Sequence, residues 1–304
     1  MRFLAAASSA LRRVLAGPAR PAQCLGAARG ALYLRTAEPP GVLVVLSHDA
    51  VRLPCGLLLP ATSAELPLSS LVPEWPAASA RFVVGDDAVS WTGPAGPVVV
   101  RAAREWAPAR PARGQVTATA LAAVRSGLGL DDTGQHLDRC EFSMAPAIEN
   151  SQPWREYRAL LAELVGDQDP GVAAAAARLL GRGPGLTPSG DDVLAGFLVG
   201  AAAFGLDSAM LRQAIAVLAP ARTTALSAAL LWHAARGECI DQLAAVAAVL
   251  TSQPGHGAGH AGRAVRRLMA VGHSSGAALA LGLVTAAESA LARQAVLANT
   301  AGTA

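Results

Sequence analysis

Lysine is absent from the 304 residues, so all 25 basic residues are arginine. That excludes Schiff-base chemistry and a lysine nucleophile, and any anion clamp must be built from guanidinium, hydroxyl or backbone groups. Aromatic residues make up only 4% of a chain that is 52% hydrophobic, the rest of the apolar content being mostly alanine, leucine and valine. Such a composition favours closely packed helices. Cys24, Cys55, Cys140 and Cys239 stand far apart and form no Cys-x-x-Cys pair. Zinc and structural disulfides are therefore not expected, and a reducing compartment is. The formal net charge of +3 is mild and the arginines are scattered, which leaves nucleic-acid binding without support. The apolar run from Val193 to Leu206 has the length of a buried core helix and is too short to cross a bilayer. A soluble, cytoplasmic protein with no membrane contact is expected.

Residues 1–30 hold Arg2, Arg12, Arg13, Arg20 and Arg29, and no acid precedes Glu38, which imitates a transit peptide. The same arginine and alanine bias runs through the whole chain, so the segment reads as a native lead-in. Residues 31–101 carry apolar runs of strand length at Ala31–Arg35, Val42–Leu46, Cys55–Leu59, Arg81–Val84 and Val98–Arg101, separated by proline and glycine. Residues 102–114, with Pro108, Pro111 and Gly114, read as a linker. From 115 to 304 the periodicity is helical, and many segments are apolar on most faces, as in the interior of a bundle. Helices are predicted over Thr117–Leu128, Trp154–Val165 behind a Ser151 cap, Asp169 to Gly181, Asp191–Phe204, Asp207 to just before Pro220, Thr223 or Thr224 to Gly237, Ile240–Leu250, Gly262–Val271 and Ser275–Leu297. The predicted fold class is α+β: a small N-terminal β-rich domain, a sheet or partial barrel, followed by a larger all-α helical domain.

Between two apolar runs lies Gly181-Arg182-Gly183-Pro184-Gly185-Leu186-Thr187-Pro188-Ser189-Gly190-Asp191-Asp192. It reads as a glycine-rich turn feeding a helix N-terminus, where unpaired N–H groups and the hydroxyls of Thr187 and Ser189 suit an anion. Asp191 and Asp192 would repel a phosphate unless a proton, Mg²⁺ or an arginine intervenes. A capping role for Ser189 or Asp191 is the plain alternative, but a single cap does not need so many glycines, prolines, hydroxyls and carboxylates. A P-loop is excluded, because Gly190 is followed by Asp191 where that motif needs lysine.

Two further helix starts share this chemistry: Arg222-Thr223-Thr224-Ala225-Leu226-Ser227 and Gly272-His273-Ser274-Ser275-Gly276. Converging, the three would surround a small anion with N–H and O–H donors, with Arg222 supplying charge. The last string also matches the Gly-x-Ser-x-Gly nucleophile elbow, with Ser274 as nucleophile, although a helix rather than a strand is predicted before it. His256 and His260 are spaced as metal ligands within a glycine-rich segment that reads better as a loop, and no metal site is expected there. His48 and Asp49 read as a surface turn.

On these three motifs, with Ala234-Ala235-Arg236-Gly237, the sequence resembles the AllH family, strongly from about residue 176 onward. The resemblance implies a subunit of an oxamate carbamoyltransferase-type complex in allantoin-linked purine catabolism, with FdrA-like and AllG-like partners. That complex interconverts oxalurate plus phosphate with oxamate plus carbamoyl phosphate. It implies a site in which Gly183, Gly185, Thr187, Ser189, Gly190, Arg222, Thr223, Thr224, Ser227, Ser274, Ser275 and Gly276 hold the small anionic substrate. Asp191, Asp192 and His273 are the implied catalytic groups, with Mg²⁺ at the aspartates as the one candidate cofactor. Family members often carry an aspartate two residues after the last glycine of the third motif, where this chain has Ala278. The alternatives are a non-catalytic anion-binding or assembly subunit, and a stand-alone serine hydrolase.

Overall fold

The computed structural model describes residues 1–73, 81–129, 152–165, 169–252 and 258–301. Cys140, the Ser151 cap and His256 lie outside the described residues. Met1–Ala109 with Ala228–His233 form one compact unit, and Arg110–Ser227 with Ala234–Ala304 form the other.

The first unit is a closed barrel, and the architecture is α+β. Its strands are β1 (Arg2–Ser8), β2 (Arg20–Ala28), β3 (Ala31–Arg35), β4 (Val42–Leu46), β5 (Gly56–Leu58), β6 (Phe82–Gly85), β7 (Ala88–Gly93) and β8 (Gly96–Trp106), with a short helix α1 (Arg12–Ala16) after β1. They close in the order β1-β5-β4-β3-β2-β6-β7-β8. The pairs β4–β5 and β1–β8 are parallel and the others antiparallel. Residues 1–30 are thus no lead-in: β1 closes the barrel between β5 and β8, and β2 joins β3 to β6. The apolar strand β4 is buried along its whole length. The Asp86-Asp87 turn between β6 and β7 has both φ angles positive, 51° and 57°, as two-residue hairpin turns of the primed types require. His48 and Asp49 lie in a turn, where Asp49 accepts from the Ser63 N–H and hydroxyl at 2.7 Å each.

In the second unit the helices are α2 (Ala118–Leu128), α3 (Gln152–Val165), α4 (Asp169–Leu179), α5 (Ser189–Phe204), α6 (Ala209–Arg222), α7 (Ala225–Ala234), α8 (Asp241–Leu250), α9 (Ala258–Met269) and α10 (Ser275–Ala301). The middle of α7, Ala228–His233, is grouped with the barrel. Thr117 caps α2 as its sequence position suggests, accepting from Ala120 N at 3.2 Å. Helix α6 continues through Pro220 to Arg222, past the stop predicted before that proline. Pro220 falls in the last turn, where its missing N–H costs one hydrogen bond and leaves the rest of the helix intact.

The core of this unit is the crossing of α5 and α10. A Cβ on Gly196 would stand 2.1 Å from the Leu279 carbonyl oxygen, and one on Gly282 would stand 2.0 Å from that of Val193. Only glycine lets the two backbones approach so closely. Ala278 is fully buried in α10. Among the described residues, α10 is the one helix long and apolar enough to cross a membrane, and 67% of its apolar window is buried within the protein. The seam between α5 and α10 brings the N-termini of both helices, and therefore the first and third motifs, to one place.

Candidate functional site

Helix α5 begins without a side-chain cap: its N-cap is Pro188. The carboxylates of its first turn have other partners. Asp191, 1% exposed, accepts from the Gly181 N–H at 2.9 Å through Oδ1 and from the Thr223 hydroxyl through Oδ2. The Ser227 hydroxyl also stabilises its charge. Burial nevertheless dominates and raises its pKa. Gly181 adopts φ +73°, and a Cβ there would lie 2.2 Å from the Arg222 carbonyl oxygen, so the first and second motifs are in backbone contact. The Thr224 hydroxyl donates to Leu186 O at 2.5 Å and accepts from Ser227 N at 3.0 Å, capping α7 while holding the glycine-rich loop.

The third motif joins from the other side. Thr187 and Ser275 hydroxyls lie 3.0 Å apart, and those of Ser189 and Ser274 lie 3.3 Å apart. Beside them Asp192 is 7% exposed, and its Oδ2 has no hydrogen-bond partner among the described residues. Burial pushes its pKa up to about 7; Ser275 pulls it back, Asp191 pushes it further up, and Thr187 pulls it back. A carboxyl raised this far is in part neutral at neutral pH, and in that form it neither repels an anion nor needs a counter-ion. The four hydroxyls are half-buried, next to the exposed stretch Arg182–Leu186 that carries Gly183 and Gly185.

Several expected donors are occupied elsewhere. The N–H groups of Gly190, Asp191 and Asp192 donate to the carbonyls of Arg182 and Pro188, and that of Gly276 donates to Val271 O. The helix ends therefore supply fewer free N–H groups than the motifs suggested, and the polar surface is made of hydroxyls and one carboxyl. Arg222 is exposed and donates to Ala177 O at 3.1 Å. It supplies no charge to the aspartates. His273 is exposed and makes no hydrogen bond among the described residues.

The donor set fits Mg²⁺ poorly, since both oxygens of Asp191 are occupied by protein donors and only Asp192 beside it offers an unpartnered carboxyl oxygen. Among the described residues no three His, Cys, Asp or Glu side chains form a metal-binding group. The segment before Gly272 is helix α9, so the strand that a nucleophile elbow requires is missing. Sequence reasoning missed one support of the loop. Arg182 pairs with Glu156, its guanidinium lies 5.7 Å from the Tyr157 ring, and the Tyr157 hydroxyl donates to Arg182 O at 3.4 Å. No spacing in the chain links α3 to this loop.

The family model described as oxamate carbamoyltransferase subunit AllH matches residues 179–287. This segment is similar to the AllH family, and the match extends no further along the chain. It contains all three motifs, together with α5 and the part of α10 that packs on it. No curated protein and no solved structure matches the chain. The AllH segment thus coincides with the loops that the fold brings together.

Proposed function

We propose that the chain acts as an AllH-like subunit of a cytoplasmic oxamate carbamoyltransferase-type complex, alongside FdrA-like and AllG-like subunits, and that its three-loop cluster handles the carbamoyl group. The reaction interconverts oxalurate plus phosphate with oxamate plus carbamoyl phosphate, as in allantoin-linked purine catabolism. The observation that carries this reading is Asp192: a buried carboxyl with an unpartnered oxygen and a pKa near 7, placed among four hydroxyls within the family segment.

In the direction of carbamoyl phosphate formation, a phosphate oxygen bonds to the carbamoyl carbon of oxalurate and the bond from that carbon to the oxamate nitrogen breaks. The departing nitrogen needs a proton. Asp192, protonated, donates it and regains one from the incoming phosphate, the role a carboxyl tuned to the working pH performs well. Thr187, Ser189, Ser274 and Ser275 donate hydrogen bonds to the oxygen on which charge develops. Asp191, with Thr223, Ser227 and Gly181, is a positioning residue that fixes the loops. Thr224 does the same through Leu186 and α7. His273 stands at the exposed rim.

The test is carbamoyl phosphate formation from oxalurate and phosphate by the full chain together with its partner subunits. Asp192→Asn should lower turnover by about 10²–10⁴-fold, the range for loss of a general acid, while Arg222→Ala leaves it near the starting value. Unchanged turnover in Asp192→Asn would instead support a non-catalytic anion-binding or assembly subunit.

A further inference from the structure

Two adjoining cavities in the helical unit share Leu206, Asp207 and Arg293 in their walls. They lie at the C-terminal end of α5, roughly 20 Å along that helix from Asp192 at 1.5 Å per residue, and the carbamoyl chemistry above makes no use of them. One cavity, of about 440 Å³, is walled by Leu164, Val172, Phe197, Met210, Leu211 and Val296. The other, of about 380 Å³, is lined by Arg113, Arg212, Arg236 and Arg293. Both fall within the range of small-molecule sites, roughly 300–1,000 Å³.

Glu238 acts on Arg236, but the other three guanidinium groups are poorly balanced. Asp207 is the one carboxylate in either wall, and its Oδ1 already accepts from Ala209 N at 2.9 Å. Arg113, Arg212 and Arg293 form no ion pair among the described residues, and Arg212 is steadied at the mouth by donating to Ser208 Oγ at 2.9 Å. The end of α5 at Gly205 offsets about half a unit of positive charge through its terminal carbonyls. The remaining guanidinium charge calls for an anion. The first cavity presents apolar side chains to solvent as well, Met210 at 46% and Val296 at 62% exposure. An apolar trough that opens at Arg293 onto a ring of guanidinium groups matches a ligand with an alkyl tail and an anionic head.

We propose that this double cleft is a binding site for an amphipathic anion, with an alkyl or acyl chain lying in the trough between Met210 and Val296 and a carboxylate or phosphate head held by Arg293, Arg212 and Arg113. Calorimetric titration of the full chain tests it, using decyl phosphate, decanoate, decanol and inorganic phosphate below micelle-forming concentrations. Decyl phosphate or decanoate should bind saturably, one per chain, at least tenfold more tightly than decanol or inorganic phosphate. Arg293→Ala and Val296→Asp, both at exposed positions, should each weaken that binding at least tenfold with an unchanged circular dichroism spectrum, and Arg222→Ala, about 18 Å from Met210 along α6, should not. Equal affinity for decanol, equal affinity for inorganic phosphate, or binding indifferent to Arg293→Ala and Val296→Asp would each overturn the proposal.

Discussion

The hydroxyls of Thr187 and Ser275 lie 3.0 Å apart although 88 residues separate them in the chain. The crossing of α5 and α10 makes this contact, because each residue stands at or just before the first turn of one of those helices. Whatever disturbs the crossing therefore disturbs the cluster.

Gly282→Ala should destabilise the helical unit by about 3 kcal/mol or more, since its Cβ would meet the Val193 carbonyl at 2.0 Å and backbone cannot yield as a side chain can. Gly262→Ala is the control. There the nearest atom is the flexible tip of Arg266 at 3.4 Å, and replacing a helical glycine should stabilise by up to about 1 kcal/mol. Urea unfolding followed by circular dichroism measures both.

Asp191 and Thr223 tie the first motif to the second. Asp191→Ala leaves the Gly181 N–H and two hydroxyls without their acceptor and should cost about 2–4 kcal/mol. Thr223→Val should cost about 1 kcal/mol. In a double-mutant cycle the two losses should fall short of additive, because they remove one shared interaction; additive losses would show that the pair is not coupled.

The pH dependence of stability carries the sign of a raised carboxyl pKa. Asp192 titrates near 7 in the folded chain and near 3.8 without its surroundings. Between those values the native state holds a proton that the unfolded chain has lost. Stability from this group is therefore present below the lower value, falls as pH rises through the window, and levels off above about 7, a loss on the order of 2–4 kcal/mol. Asp191, also raised, adds in the same direction. Asp192→Asn should match the parent below pH 3.8, exceed it in stability at pH 8, and flatten the slope between. Chemical denaturation at a series of pH values reads this directly.

An active-site serine probe should leave Ser274 unlabelled, since the Gly272–Gly276 string follows a helix and the Ser274 hydroxyl is shared with Ser189. Mass spectrometry of the treated chain checks it.

The helical unit was legible because its signals are local. Apolar periodicity, Thr117 as a cap and glycine after each run mark most helices to within a few residues. The barrel was half legible. β3 and β4 announce themselves by unbroken branched and aliphatic residues, whereas β1 is mostly alanine and serine and β2 contains Pro21 and Gly26, so neither has strand-forming composition. Their pairing comes from barrel closure, which no local pattern encodes. At the candidate site, motif chemistry correctly singled out Asp191, Asp192, Thr223 and the serines as neighbours. It did not separate the two aspartates, because their difference lies in which one faces Gly181 and Thr223 and which one is left beside Ser275. Arg222 looked like an anion clamp by its place in the motif, but its side chain turns back to Ala177 O on α4.

The most direct test is a carbon-13 titration of the Asp192 carboxyl, assigned by its loss in Asp192→Asn and followed with and without oxamate plus phosphate. The account predicts a midpoint near 7 in the free protein and a clear displacement of that midpoint when the two anions are added. A carboxyl that titrates below about 5, like an ordinary aspartate, and ignores both anions would contradict it.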